Sequence, residues 1–339
     1  MAVRVAVVGC GYFARYHLAA WQKLSADGAE LVAVCDIDPE KAQRAAVATG
    51  ARAFTDVGAM LAEARPELVD IATRMDTHAA LVTQCALAGA ALIVQKPLAP
   101  TGEEASRIVG TARDAGVFLA VHENFRYQAA MMRVGELLQS GAIGAPNWAR
   151  IAFRTGIDVY ANQPYFYDEE RLVILDLGIH LLDLSRVFMG EVETVYCQTQ
   201  RRNPRVRAED TATIMLRHSA GATSIVECTY EARRLPLAKA EAFVEIEGTE
   251  GSIVLDRQLQ LMLTSRDHLS REDLVPADFD HSDPAAYVAR QSVYEASRQI
   301  LRAYRSGEPA ATSGEDNLKT FALVEAAYRS AATGRAERP

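Results

Sequence analysis

Over the first third of the chain, runs that are apolar throughout alternate with segments whose apolar residues recur every three or four positions. The continuous runs are Val3–Val8, Leu31–Cys35, a short Ala53-Phe54, Leu68–Ala72, Ala91–Val94 and Val117–Val121. A strand covered on both faces has no polar side to show, so it reads this way and not as an alternation. The helical pattern falls between the runs, at Phe13–Leu24, Pro39–Thr49, Val57–Ala64, His78–Ala88 and Gly102–Ala115. Pro39 suits a first helical turn, and Gly50, Gly89 and Gly116 stand where helices should stop. Repeated strand–helix–strand units with short connections predict a doubly wound parallel sheet.

Past residue 122 the pattern changes. Arg133–Gln139 predicts a helix, Trp148–Phe153 a strand, and Leu175–Phe188 a strongly apolar helix. Strand patterns then follow with no helix between them: Thr194–Gln200, Thr211–His218, Thr223–Glu231, Ala242–Glu247, Ser252–Leu255 and Leu259–Leu263. Such a run predicts a large, mostly antiparallel, open sheet. The acidic stretch 266–285 carries two prolines and reads as a surface loop; helices return at Tyr287–Arg305 and Asn317–Thr333. The fold class is therefore α/β. A parallel-sheet domain spans residues 1–122 and an α+β domain spans 123–339, with helix 317–333 expected to pack back on the first domain. Apolar strands such as Thr211–Leu216 need cover on both faces, so the open sheet predicts a homodimer or homotetramer.

Composition narrows the partners. The 339 residues carry 36 Lys and Arg against 44 Asp and Glu, a net charge of −8. With no basic stripe, nucleic acid is not an expected partner. The longest uncharged run, Ala79–Gln95, is too short for a membrane helix. Five scattered cysteines without a Cys-x-x-Cys suit reduced thiols in a cytoplasm.

The first strand ends in Gly9-Cys10-Gly11-Tyr12-Phe13-Ala14. Gly9 can make the tight turn, Gly11 lets a diphosphate approach the backbone, and Ala14 lets helix and strand pack closely. The helix that follows would aim its N-terminal N–H groups at that diphosphate. Asp36 ends the second strand at the spacing of a carboxylate that accepts hydrogen bonds from an adenosine ribose. It would repel a 2′-phosphate, and the next residue is Ile37, so the pattern predicts NAD over NADP.

Two further segments could carry chemistry. Lys96, in Gln95-Lys96-Pro97, lies at the carboxyl end of the fifth strand, where ligands of parallel sheets sit. In Leu175–Asp183, the spacing of Asp176, His180 and Asp183 puts all three on one face of an α-helix beside an apolar stripe. A histidine there suits proton transfer near neutral pH, and it equally suits a satisfied structural role capped by Asp183. A metal site is not expected, since no further His or Cys cluster supports one.

Taken together, these motifs resemble the family of glucose–fructose oxidoreductases, inositol dehydrogenases and rhizopine-catabolism proteins (Gfo/Idh/MocA). The likeness extends through Thr73 and His78, Gln95-Lys96-Pro97, Asp176-x-Gly178-x-His180-x-x-Asp183 and Ser313-Gly314-Glu315-Asp316. It implies an NAD-binding Rossmann domain and a dehydrogenase of sugars or polyols, with Lys96, Asp176 and His180 catalytic. The cofactor would be met by Gly9, Gly11, Tyr12, Phe13, Asp36, Thr73, Arg74, His78, Gln95, Lys96 and Asn124. Gln95 departs from the glutamate usual before the lysine. Stretches 94–101 and 121–128, and Gln163-Pro164-Tyr165, resemble the D-apiose dehydrogenase branch, which places Arg126 and Tyr165 near substrate. A ketoreductase running in reverse, an inositol dehydrogenase or a non-catalytic NAD-binding regulator remain alternatives. Hydride transfer between these parts implies an active site at the domain junction.

Overall fold

The structure, a computed structural model, describes residues 2–234 and 238–339. The N-terminal pattern resolves into β1 (Val3–Val8), α1 (Ala14–Lys23), β2 (Ala29–Cys35), α2 (Pro39–Thr49), β3 (Arg52–Phe54) and α3 (Val57–Ala64). It continues with β4 (Leu68–Ile71), α4 (His78–Leu87), β5 (Ala91–Gln95), α5 (Gly102–Asp114) and β6 (Leu119–His122). Among the described residues these strands make a parallel sheet in the order β3-β2-β1-β4-β5-β6. The order reverses direction between β1 and β4. The carboxyl ends of such strands are where doubly wound sheets hold ligands. Asp38 caps α2 by accepting from the Glu40 and Lys41 N–H groups.

After a 3₁₀ turn at Phe125–Tyr127 come α6 (Ala129–Gln139), β7 (Pro146–Arg154), a π-helical turn at Ile174–Gly178 and α7 (Ile179–Met189). Seven strands follow: β8 (Val192–Gln200), β9 (Thr211–His218), β10 (Thr223–Thr229), β11 (Ala242–Gly248), β12 (Gly251–Leu255), β13 (Gln260–Ser265) and β14 (His268–Asp273). The second sheet runs β14-β13-β12-β11-β7-β10-β9-β8, antiparallel except where β10 lies parallel to β7. Helix α7 packs on β7 and β10. On β9, Ala212, Ile214 and Leu216 are buried while Thr213, Met215 and Arg217 alternate outward. That alternation is what a sheet covered on one face requires. No helix among the described residues is long and apolar enough to cross a membrane.

Two expectations are corrected here. Residues 266–285 are not all loop, because His268–Asp273 forms the edge strand β14. Its residues are mostly exposed and charged, as edge strands tend to be, so no apolar period marks it. The domain boundary also differs. The helices α8 (Pro284–Ser306) and α9 (Gly314–Thr333) complete the chain. The chain divides into one unit made of the residues up to Asn124 together with Ala289–Leu318, and a second made of Phe125–Val288 and Lys319–Pro339. The returning segment is 289–318, and most of the helix expected to pack back belongs to the second unit. The reason is apolar burial. Ile300, Leu301 and Ala310 are buried in one core with Val5, Val7, Trp21, Leu24, Leu68 and Ile93. Arg305 adds donors to the carbonyls of Asp27 and Gly28, and Thr312 accepts from the Val121 N–H.

The turn after β1 leaves no room for a side chain at Gly9. Gly9 has φ +94°, and a Cβ there would lie 2.6 Å from the Ala72 carbonyl oxygen. Gly9→Ala should therefore destabilise the protein by about 1–3 kcal/mol, read by urea unfolding; a wild-type midpoint would show that the turn can relax.

Candidate active site

In the first unit the cofactor motif is preassembled. The Asp36 carboxylate accepts from the Cys10 N–H (2.8 Å) and the Asp38 N–H (2.9 Å), which ties the end of β2 to the glycine turn. No atom lies within 4 Å of where a Gly11 Cβ would be, so that side of the loop is open. Tyr12 is exposed with Arg15 over its ring, and Phe13 caps α1 without a side-chain hydrogen bond. A backbone without a Cβ at Gly11, a helix start without a side-chain cap and a fixed carboxylate fit a dinucleotide.

The loops after β4 and β5 are braced together. The His78 ring meets the Leu98 carbonyl at 3.0 Å and the Thr73 carbonyl at 3.3 Å, and Thr73 Oγ1 lies 2.7 Å from Thr77 Oγ1. His78 is fully buried, and burial pushes its imidazole below the usual range, so the neutral ring donates to one of these two carbonyls and packs against the other. Arg74 is half-exposed and pairs with Asp76. Asn124 is buried and donates to Ser292 of α8 at 2.7 Å.

Lys96 follows β5 and is partly buried, and its peptide bond to Pro97 is cis. Its backbone N–H donates to Gln95 Oε1 at 2.6 Å. Gln95 Nε2 in turn lies 3.0 Å from His17 Nε2, and His17 Nδ1 lies 2.8 Å from Asp70 Oδ2. Trp21 Nε1 donates to the same Asp70 oxygen at 2.7 Å. His17 and Asp70 were not singled out in the sequence. The available signal was a carboxylate inside the otherwise apolar strand Leu68–Ala72, which must find donors within the core.

In the second unit the expected α-helix over 175–188 begins instead with the π turn, so Asp176, His180 and Asp183 do not share a regular α-helical face. A π turn inserts a residue into the α pattern and re-aims side chains, often at functional sites. Each of the three has its own partner. Asp176 accepts from the Tyr230 hydroxyl, which burial, and then the carboxylate, keeps protonated far above its ordinary value. His180 stacks on Phe125, with ring centroids 3.8 Å apart and planes 4° apart. Asp183 is buried and accepts from Arg126 Nε at 2.8 Å and from Thr320 Oγ1 at 3.1 Å. Glu209 accepts from the Leu172 and Ile174 N–H groups, both at 3.2 Å, and from the Tyr328 hydroxyl at 2.7 Å, satisfying donors at the start of the turn. Tyr165 lies in a 3₁₀ turn with its hydroxyl on Gln163. Phe125, Tyr230 and Glu209 carry no spacing signal, because each reaches the turn from a distant part of the chain. Among the described residues, no group of three His, Cys, Asp or Glu side chains is placed to hold a metal ion.

Comparison with known proteins agrees with this layout. Residues 3–123 match the oxidoreductase family with an NAD-binding Rossmann fold, and residues 131–254 match the GFO/IDH/MocA C-terminal domain. A D-apiose dehydrogenase of Paraburkholderia graminis is 42% identical over 97% of this chain and 88% of its own. One of Rhizobium rhizogenes is 40% identical over 97% of this chain and 95% of its own. The crystal structure of an oxidoreductase from Agrobacterium radiobacter in complex with NAD+, L-tartaric acid and magnesium superposes with a TM-score of 0.94. That protein is 38% identical and covers all of this chain and 98% of its own.

The Arg126–Asp183 pair gives a stability test. Removing one partner leaves a buried charge without its counter-ion, so Arg126→Met should cost about 3–5 kcal/mol in urea unfolding. A loss below about 1 kcal/mol, the worth of an exposed pair, would mean solvent reaches Asp183.

Proposed function

The chain belongs to the GFO/IDH/MocA oxidoreductase family, and from that premise we propose that it oxidises a sugar hydroxyl with NAD, with D-apiose as the substrate and its lactone as the product. The observation that carries this reading is the end-to-end likeness, at 42% identity, to a D-apiose dehydrogenase. Loop stretches 94–101 and 121–128 and the Tyr165 turn are the segments in which the sequence resembles that branch.

The chemistry follows from the residues present. Bound NAD supplies the hydride acceptor, and Gly9, Gly11, Tyr12, Phe13, Asp36, Thr73 and Arg74 hold it, with His78 and Asn124 bracing the loops. At the oxidised carbon a C–H and an O–H bond break and a C=O bond forms. The hydride goes to the nicotinamide and the proton to His180. Phe125, lying flat against the imidazole, fixes the ring plane for that transfer. The Lys96 ammonium stabilises the negative charge that develops on the sugar oxygen. Asp176 orients a sugar hydroxyl while Tyr230 occupies part of its acceptor capacity. Tyr165 lines the sugar's approach, and Arg126 acts through Asp183 to hold the Phe125 turn to α7.

The cofactor is NAD in preference to NADP, since Asp36 is fixed by two backbone donors and Ile37 offers nothing to a 2′-phosphate. The protein works in the cytoplasm with its cysteines reduced, and it associates as a homodimer or homotetramer through the outward face of the second sheet. Met215 is half-exposed on that face.

Four measurements test this. NADH formation should be fastest with D-apiose in a panel of pentoses, branched pentoses, inositols and hexoses; an inositol at the top would move the substrate assignment. Lys96→Met and His180→Ala should each lower kcat by at least ~100-fold with NAD affinity nearly intact. Near-normal turnover in either would remove that residue from the mechanism. Comparison of kcat/KM should favour NAD over NADP, and Asp36→Ala should narrow the difference. Sedimentation as a monomer at micromolar concentration would end the association proposal.

A further inference from the structure

Behind Lys96 stands a line of buried polar groups that the proposed reaction does not itself use: Asp70, His17 and Gln95. Their donors and acceptors can be assigned in order, starting from the only member with no choice. The Lys96 backbone N–H is a donor at every pH, and it lies 2.6 Å from one atom of the Gln95 amide. That atom must be Oε1. The Gln95 amide nitrogen therefore faces His17 Nε2, at 3.0 Å, and it too is a donor. His17 Nε2 must then be the acceptor, which makes the imidazole neutral with its single proton on Nδ1. Nδ1 points at Asp70 Oδ2, 2.8 Å away, and donates to it. Asp70 Oδ2 also accepts from Trp21 Nε1, so this oxygen is the acceptor at the end of the line.

We propose that Asp70, His17 and Gln95 form a directional hydrogen-bond relay that fixes the backbone of Lys96, and that glutamine stands at position 95 because the relay needs one donor and one acceptor there. This rests on the reading of Lys96 as the group that stabilises the sugar oxyanion. The three are positioning residues. They act on the strand end from which the ammonium projects, and a loose strand end would move the charge away from the reacting oxygen.

The relay also links a proton count to position 95. A carboxylate there accepts only. Gln95→Glu would face the His17 lone pair until the imidazole took a second proton, and would then hold an imidazolium between two carboxylates. The groups that face His17 are Asp70 from β4, Gln95 from β5, and His122 from β6, whose ring centroid lies 4.2 Å away. Phe13, which caps α1, packs edge-on against the ring, Trp21 of α1 shares the Asp70 oxygen with it, and Glu123 lies beyond His122. His122 is buried next to Ser297, and burial pushes it down to about 3, so it stays neutral and does not supply the missing proton.

The test is the pH dependence of kcat for wild type, Gln95→Glu, Gln95→Leu and Lys96→Met, with NAD binding measured alongside. The wild-type profile is the reference for each variant. Gln95→Glu should add a loss on the alkaline side, because its relay is intact only while His17 carries two protons. Gln95→Leu should lower kcat by about 10–100-fold at every pH with NAD affinity little changed. An unaltered profile in Gln95→Glu and near-normal kcat in Gln95→Leu overturn the relay; if Lys96→Met is inactive in the same assay, the reading of Lys96 survives. An active Lys96→Met overturns both. Should the variants at 95 fail to fold, long-range proton–nitrogen spectra of histidine-labelled wild type decide directly. A His17 ring protonated at Nδ1 alone at pH 7 supports the relay, and one protonated at Nε2 overturns it.

Discussion

A carboxylate wholly or partly withdrawn from water must be given donors, and in each unit that demand fixes the segment on which chemistry is placed. Asp36 draws the Cys10 and Asp38 N–H groups onto itself and so sets the glycine turn. Asp70 takes the His17 and Trp21 donors, and the line continues to the backbone of Lys96. In the second unit Glu209 collects the N–H groups at the start of the π turn, Tyr230 satisfies Asp176, and Asp183 holds Arg126. For the two that are fully buried, Asp70 and Asp183, leaving the charge unmatched would cost about 3–5 kcal/mol, a large part of the margin of stability of a domain. Geometry at the reacting groups is thus enforced by the same free energy that keeps the protein folded.

The sequence carried the parallel sheet well, because its strands are buried on both faces and nothing else produces short, wholly apolar runs between helical periods. It also placed Gly9, Gly11, Asp36 and Lys96 just past strand ends and His180 on a helix, where the structure has them. What it did not carry is contact across long separations. Phe125 meets His180, Tyr230 meets Asp176, and His17 meets Gln95 through the tertiary fold alone. The π turn was invisible for a related reason. From Leu172 to Met189 nearly every residue is buried, so there is no apolar period for one extra residue to break. The edge strand β14 was missed because an exposed edge is selected to look like a loop.

The glutamine at position 95 illustrates how a departure from a family pattern should be read. In isolation it removes a charge beside a lysine. In the structure it sits between a fixed backbone donor and a histidine, where its two ends have opposite roles. Hydrogen-bond polarity then decides which residue fits, and net charge does not.

The return of residues 289–318 to the first unit bears on how the protein is made. A nascent chain that has just released residue 124 has every strand of the parallel sheet but not Ile300, Leu301 and Ala310, which close the core around Trp21 and Leu24. Until the ribosome has added well over a hundred further residues, that face of the sheet is covered only in part. The nucleotide-binding half is encoded first and finished nearly last, so a cut after residue 124 would divide the folding unit itself.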